Sequence, residues 1–267
     1  MLEILKALLL GIIQGLTEFL PVSSSAHLNI FPWIFNWEIT ESFDVALHIG
    51  TLFAMLIFFF KDWIALLVGG YKQTIKKEKN VEGKMFWILV VATIAGAVLS
   101  LGLDKVSEMI IGDNLNLEMV IIAITLIIMG IVLYLADAKA SSNIGYEDID
   151  MKKGVLIGVS QGLAAAFPGV SRSGITMTVA RTLGIDRESA ARFSFMLAAP
   201  ITAAAVVFDL DKFSFDASFF VGVAASFIVG LAVIKFLLDF LKKRSYKAFA
   251  VYRVILGAVV IALFFIK

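Results

Sequence analysis

Long apolar stretches alternate with short polar segments along most of the chain. A helix needs about 20 apolar residues to cross the hydrocarbon core of a bilayer, which is roughly 30 Å thick. Six stretches approach that length: residues 43–60, 85–103, 117–136, 189–208, 217–240 and 248–266. The pattern therefore predicts six transmembrane helices.

Two further apolar pieces, residues 1–31 and 154–185, are interrupted by polar residues. Each breaks at a proline, Pro21 or Pro168, that serines follow. Irregular backbone survives at membrane depth only where protein or a water-filled cavity satisfies its polar groups. We therefore expect two re-entrant helix hairpins in an all-α integral membrane protein. A cleaved signal peptide is the less favoured interpretation of the first piece, because its n-region is hardly positive and polar residues interrupt its apolar core.

Composition supports this class. Of 267 residues, 60% are hydrophobic and 17% are charged, whereas soluble domains are about 45–50% apolar and about 25% charged. The chain contains no cysteine, which excludes disulfides, thiolate nucleophiles and cysteine-bound metals.

Lysine and arginine in the connecting segments predict the orientation, since cytoplasmic loops carry the excess of these residues. Three connecting segments, 61–84, 137–153 and 242–247, together hold thirteen lysines and arginines. The segments that alternate with them, 32–42, 104–116 and 209–216, together hold two. We expect the basic segments to be cytoplasmic loops, and both termini to be extracytoplasmic. Arg181, Arg187 and Arg192 are interpreted as part of the same signal.

Two polar motifs share part of their sequence. The first motif, residues 14–27, is QGLTEFLPVSSSAH, and the second, residues 161–174, is QGLAAAFPGVSRSG. Five residues recur at an offset of 147, and after the proline the second motif has one extra residue. The recurring pairs are Gly11 and Gly158, Gln14 and Gln161, Gly15 and Gly162, Leu16 and Leu163, and Pro21 and Pro168. The chain therefore holds an internal repeat.

Each repeat contains one interrupted element and three predicted spanning helices. Repeat 1 covers about residues 1–136, repeat 2 covers about 154–267, and residues 137–153 form a cytoplasmic linker in a single membrane domain. Three spans are an odd number, so the second repeat should have the opposite topology. Inverted repeats whose broken helices meet near the midplane build polar sites inside bilayers. We expect the two motifs to face each other there.

The first motif carries acid, base and hydroxyl groups. Gln14 and Glu18 are four residues apart and share one helix face. An ionisable group at this depth is costly and by default functional, although a buried hydrogen bond between helices is the alternative for Glu18. Ser23, Ser24 and Ser25 can cap the following helix. His27 follows Ser24 by three residues, a spacing that fits a nucleophile and its base.

The second motif has the features of an anion site. Gly169 permits a tight turn, and Ser171, Ser173 and Thr176 supply hydroxyls. The helix N-terminus and the planar guanidinium of Arg172 add donors that suit phosphate. Snorkelling to the interface is the alternative role for Arg172. Of the two histidines, His48 is expected to be a packed structural residue.

These motifs resemble the two signatures of the bacterial undecaprenyl-diphosphate phosphatases, the bacitracin-resistance family, over essentially the whole chain. The resemblance implies hydrolysis of undecaprenyl diphosphate to undecaprenyl phosphate in the cytoplasmic membrane, which recycles the lipid carrier of peptidoglycan and other cell-wall polymers. The active site would open to the extracytoplasmic side. The family's (E/Q)xxxE motif falls on Gln14 and Glu18, its serine and histidine on Ser24 and His27, and its arginine on Arg172. Glutamine at position 14 leaves Glu18 as the one carboxylate of that motif.

The expected substrate and partners follow from this resemblance. A diphosphate brings more negative charge than Arg172, a protonated His27 and helix N-termini offset, so a divalent cation is expected. Mg²⁺ or Ca²⁺ would be bound by Glu18 and Gln14. The polyprenyl diphosphate and membrane lipids are the expected partners, with no nucleic acid, while a homo-oligomer is neither predicted nor excluded.

Two other functions compete with this interpretation of the sequence. Histidine-based lipid phosphate phosphatases are disfavoured because they need a histidine well after an SR motif, and His27 and His48 both precede Ser171 and Arg172. A transporter or flippase of the lipid carrier or of a small anion stays open, because fold does not fix function. The attacking group is also open among Ser24, His27 and water.

Overall fold

The computed structural model describes residues 1–112 and 114–267, and its regular structure there is helical. The helices are α1 (Leu2–Thr17), α2 (Ser24–Phe35), α3 (Glu41–Phe58), α4 (Phe60–Ile75), α5 (Val81–Ile111), α6 (Leu115–Lys139), α7 (Met151–Ser160), α8 (Gly162–Ala166), α9 (Arg172–Thr182), α10 (Arg187–Phe208), α11 (Ala217–Leu241) and α12 (Lys247–Ile266). Two 3-10 turns lie at Tyr146–Asp148 and Leu210–Lys212.

The described helices have the lengths and composition of a multi-pass membrane protein. Five of them, α5, α6, α10, α11 and α12, are long and apolar enough to cross a bilayer. The pair α3 and α4 passes the same test together but bends by 72° at its break, which gives six spans if the pair counts as one. The all-α membrane prediction is confirmed at this level.

One predicted loop is helical. The lysines between residues 61 and 84 predicted a loop, but residues 60–75 form α4. Its buried positions are Leu66, Gly69 and Gly70, which pack on α5, whereas its two lysines, Lys61 and Lys72, are exposed. A Cβ atom at Gly69 would lie 2.6 Å from the Cβ of Glu82, so the glycine is what lets α5 approach. The lysine count therefore missed an amphipathic helix that directly follows the apolar stretch 43–60.

Both interrupted pieces are helix–break–helix elements, as predicted. The first break, residues 18–23, separates α1 from α2, and the second break, residues 167–171, separates α8 from α9. Each ends in a serine with a positive φ, 75° at Ser23 and 72° at Ser171. Each serine side chain accepts a hydrogen bond from the backbone N–H three residues later. The two breaks therefore end in the same local conformation.

Helices from the two ends of the sequence pack against each other. The closest pairs are α1 with α11, α6 with α12 and α3 with α11. At the crossing of α1 and α11, a Cβ atom at Gly11 would lie 2.4 Å from the carbonyl oxygen of Gly222. Helices of the two sequence halves therefore pack closely against each other.

A buried polar cluster joins the ends of α6, α9, α10 and α12. The Asp137 carboxylate accepts hydrogen bonds of 2.8 Å from Arg181 Nε and 2.8 Å from Arg187 Nε. It also accepts one of 3.1 Å from the backbone N–H of Tyr246. Arg181 is fully buried, so it serves helix packing in addition to any orientation signal. Arg192 pairs instead with Asp62 of α4.

Candidate active site

The two motifs meet at a cavity of about 260 Å³, here called the central cavity. Both helix breaks, α3 and α5 contribute to its walls. Its polar lining residues are Glu18, Ser24, Ser25, His48, Ser100, Gln161, Ser171, Arg172 and Ser173. Side chains that are more than 140 residues apart in sequence therefore face one space.

Glu18 lies at the centre of the polar contacts. One carboxylate oxygen accepts a hydrogen bond from Arg172 Nη2. The other accepts one of 2.6 Å from Ser24 Oγ and one of 3.2 Å from Gln14 Nε2. His48 Nε2 lies 3.5 Å from that same oxygen. The bond from Gln14 shows that the predicted spacing of four residues brings these side chains together on one helix face.

Arg172 is the first residue of α9, where unpaired backbone N–H groups already favour an anion. Its guanidinium is held between Glu18 and Thr202, whose Oγ1 accepts from Nη1 at 2.8 Å. The side chain keeps 23% of its surface exposed toward the cavity. This places a planar cationic donor beside a helix N-terminus, a combination suited to phosphate.

Ser24 and His27 do not contact each other in the way their spacing predicted. Ser24 Oγ turns across the first break to Glu18. The His27 ring points away, with Nδ1 2.7 Å from the Ser23 carbonyl oxygen and Nε2 2.7 Å from the Tyr252 hydroxyl. Because a carbonyl only accepts, Nδ1 carries the proton and Nε2 of the neutral ring accepts from Tyr252. The neighbour placed to take a proton from Ser24 is therefore Glu18.

Comparison with known proteins identifies the family of this chain. The family model described as "Bacitracin resistance protein BacA" matches residues 7–259. The chain belongs to the BacA family. It is 46% identical to a protein named undecaprenyl-diphosphatase from Pelotomaculum thermopropionicum, over 98% of this chain and 97% of that protein. It is 44% identical to the protein of that name from Caldicellulosiruptor bescii, over 98% of each chain. A third, from Moorella thermoacetica, is 41% identical over 100% of each. The resemblance inferred from the motifs is confirmed.

Some of the remaining predicted residues of this BacA-family chain line the cavity, and others are buried behind it. Ser25, Ser171 and Ser173 line it. Ser23, which is buried, caps α2. Thr176 is buried and bonds to Ser194 at 2.6 Å.

Gly169 serves the turn rather than the cavity. It has a φ of +88°, and a Cβ atom there would lie 2.3 Å from Thr125 Oγ1 of α6. Its place in the second motif thus reflects backbone conformation and close packing.

Sequence reasoning missed several residues of the site. His48 was expected to be structural, yet its Nδ1 donates to the Asp44 carbonyl at 2.8 Å and its Nε2 faces Glu18. The available signal was that His48 is an ionisable residue in a predicted transmembrane segment. Gln161 and Ser100 also line the cavity. Thr202, the partner of Arg172, had no sequence signal, because it is the one polar residue in the otherwise apolar stretch 195–208 of α10.

Proposed function

We propose that this BacA-family protein hydrolyses undecaprenyl diphosphate to undecaprenyl phosphate and inorganic phosphate. The proposal rests on the full-length similarity to proteins named undecaprenyl-diphosphatase. The observation that carries it is the shared cavity where Ser24, Glu18 and Arg172 meet. Such hydrolysis returns the lipid carrier to peptidoglycan and other cell-wall synthesis, and the family description connects it to bacitracin resistance.

In the proposed reaction, Arg172 and the N-terminus of α9 bind the terminal phosphate of the diphosphate. Ser24 Oγ attacks the terminal phosphorus while Glu18 accepts its proton. The phosphoanhydride bond breaks and undecaprenyl phosphate leaves. Water then hydrolyses the phosphoserine, which releases inorganic phosphate and restores Ser24. The 2.6 Å hydrogen bond from Ser24 to Glu18 supports Glu18, rather than His27, as the proton acceptor.

We propose that a divalent cation takes part, with phosphate oxygens completing its coordination. In the described part of the chain, no group of three or more His, Asp or Glu side chains is placed to hold a metal. Among described residues, the buried Gln14 Oε1 has no hydrogen-bond partner, and it lies on the residue next to Glu18 on the helix face. Glu18 and Gln14 would hold Mg²⁺ or Ca²⁺, which supplies charge neutralisation for the phosphates.

We further propose that the two halves, about residues 1–136 and 154–267, form an inverted repeat with two re-entrant hairpins, joined by a cytoplasmic linker at 137–153. The matching backbone at Ser23 and Ser171 supports this arrangement. The central cavity would then open to the extracytoplasmic side, with both termini on that side, in agreement with the lysine and arginine distribution.

Phosphate release distinguishes a phosphatase from a transporter. Purified protein in detergent, supplied with undecaprenyl diphosphate and Mg²⁺ or Ca²⁺, has no gradient to use. We expect release of inorganic phosphate in this assay and strongly reduced release from Arg172→Ala that is folded equally well. Absence of release, together with movement of the lipid across vesicle membranes, would establish the transporter function instead.

A further inference from the structure

We propose that Arg253, in α12, is a positioning residue that holds the two helix breaks together. The inference rests on the proposed phosphatase function for its effect on turnover, and on the hydrogen bonds below for its effect on geometry. Arg253 lies outside the described lining of the central cavity, so it acts through the breaks rather than on the substrate.

The guanidinium of Arg253 bonds to backbone carbonyls of both breaks. Nη1 donates to the Pro21 carbonyl oxygen at 3.2 Å. Nη2 donates to the carbonyl oxygens of Gly169 and Val170, each at 2.9 Å. One side chain therefore connects segments that are 148 positions apart in sequence.

The carbonyls that it binds occupy matching places. Pro21 lies two residues before Ser23, and Gly169 lies two residues before Ser171. Ser23 and Ser171 are the two caps with positive φ, and the residues that follow them are Ser24 and Arg172. A shift of either carbonyl would thus change the direction of the reacting side chain three residues later.

The burial of Arg253 supports a specific role. Its relative exposure is 0%, and no described Asp or Glu carboxylate lies within ion-pair distance of it. A buried cation without a counter-charge is costly, and in membrane proteins such groups have a function by default. The carbonyls at a break lack helical partners and need donors. Arg253 meets this need in both breaks at once, because its donors form a rigid fork.

The second motif leaves space for this side chain. A Cβ atom at Gly174 would lie 2.6 Å from Arg253 Nη1. Glycine at this position therefore lets the guanidinium reach the breaks. We expect Gly174→Ala to displace the guanidinium without removing its charge. The added Cβ would also lie 3.0 Å from the Cβ of Ser171, which is a tight contact.

The test compares Arg253→Lys with the parent protein, purified in detergent. Lysine keeps the charge, but its single ammonium cannot bind both breaks with the geometry of the fork. We expect kcat to fall about 10–100-fold, the loss typical of misplacing reacting groups by about 1 Å. Spin labels at Leu16→Cys and Phe167→Cys, both exposed positions beside the breaks, should show a broader distance distribution. The chain has no native cysteine to interfere.

Arg181→Lys is the matched control, since Arg181 is equally buried but binds at the opposite end of α9. It should lower thermal stability while leaving kcat and the label distances near those of the parent. If Arg253→Lys does not fold, Gly174→Ala takes its place with the same expected results.

The proposal is overturned if a folded Arg253 variant keeps kcat within about twofold of the parent. It is also overturned if Arg181→Lys, at the same stability as Arg253→Lys, loses as much kcat as Arg253→Lys does. An unchanged label distribution also overturns it. The labels report the break geometry without turnover. If the parent protein releases no phosphate, the proposed function fails while the labels still test Arg253.

Discussion

At the scale of single side chains, Glu18 connects the two residues on which the proposed reaction depends. It accepts hydrogen bonds from Ser24 and Arg172, on opposite carboxylate oxygens. In the proposed reaction, an arriving phosphate would compete for Arg172, which would free one carboxylate oxygen while Ser24 stays bonded to the other. Glu18 would then hold both side chains before substrate binds and accept the Ser24 proton afterwards.

If Ser24 attacks and Glu18 takes its proton, the two act as a unit. Ser24→Ala and Glu18→Gln should each lower kcat by roughly 10²–10⁴-fold, the range of general base catalysis. The double variant should be little worse than either, because the losses of coupled residues are not additive. Rapid acid quenching with labelled diphosphate should trap a phosphoserine. Phosphohistidine is lost in acid, so a parallel sample is quenched in alkali. An adduct on His27 in that sample, or full activity in Ser24→Ala, would refute Ser24 as the nucleophile.

Arg172 allows charge to be separated from shape. Arg172→Lys keeps the charge but loses the planar fork that binds Glu18, Thr202 and phosphate. We expect both Arg172→Lys and Arg172→Ala to lose about 10²–10³-fold in kcat, the effect of removing one preorganised donor. Steady-state phosphate release measures this, with folding checked by size-exclusion chromatography. Near-normal turnover in Arg172→Lys would reduce the residue to an interfacial anchor.

At the scale of helices, local patterns were predictable from sequence, and the repeat predicted that the two motifs meet. The individual long-range side-chain contacts were not predictable. Gln14 and Glu18 meet because four residues return to the same helix face. Ser24 and His27 are as close in sequence, but their side chains leave α2 in different directions. The partner of His27 is Tyr252, 225 residues away. The periodicity of a helix cannot predict a contact between residues so far apart in sequence.

The Asp137 cluster gives a prediction about helix packing. Asp137→Asn removes the charge that pairs with the buried Arg181 and the part-buried Arg187, and breaking a buried pair costs about 3–5 kcal/mol. We expect a clear loss of thermal stability, with kcat retained at low temperature because the cluster lies away from the cavity. Lys242→Gln is a control, since its ion pairs are exposed and contribute little. A stability equal to that of the parent would contradict this assignment.

For the whole molecule, the orientation can be tested with single cysteines. Residues 78 and 110 lie near opposite ends of α5, whose 31 residues span about 46 Å. Glu78→Cys should react with a membrane-impermeant thiol reagent only from the cytoplasmic side, and Ile110→Cys only from outside. The parent chain lacks cysteine and is the blank. Labelling of both from one side would contradict the inverted repeat.

The packing of α1 against α11 also sets an order of events during synthesis. The ribosome makes α1 about 200 residues before α11, a delay of roughly 10–40 s at usual elongation rates. During that time the glycine face of α1, with Gly11 and Gly15, has no Gly222 or Ser226 to contact. Helix α1 is thus made early and completes its packing late. A chain that stops before residue 217 lacks α11, so this face of α1 has no partner to cover it.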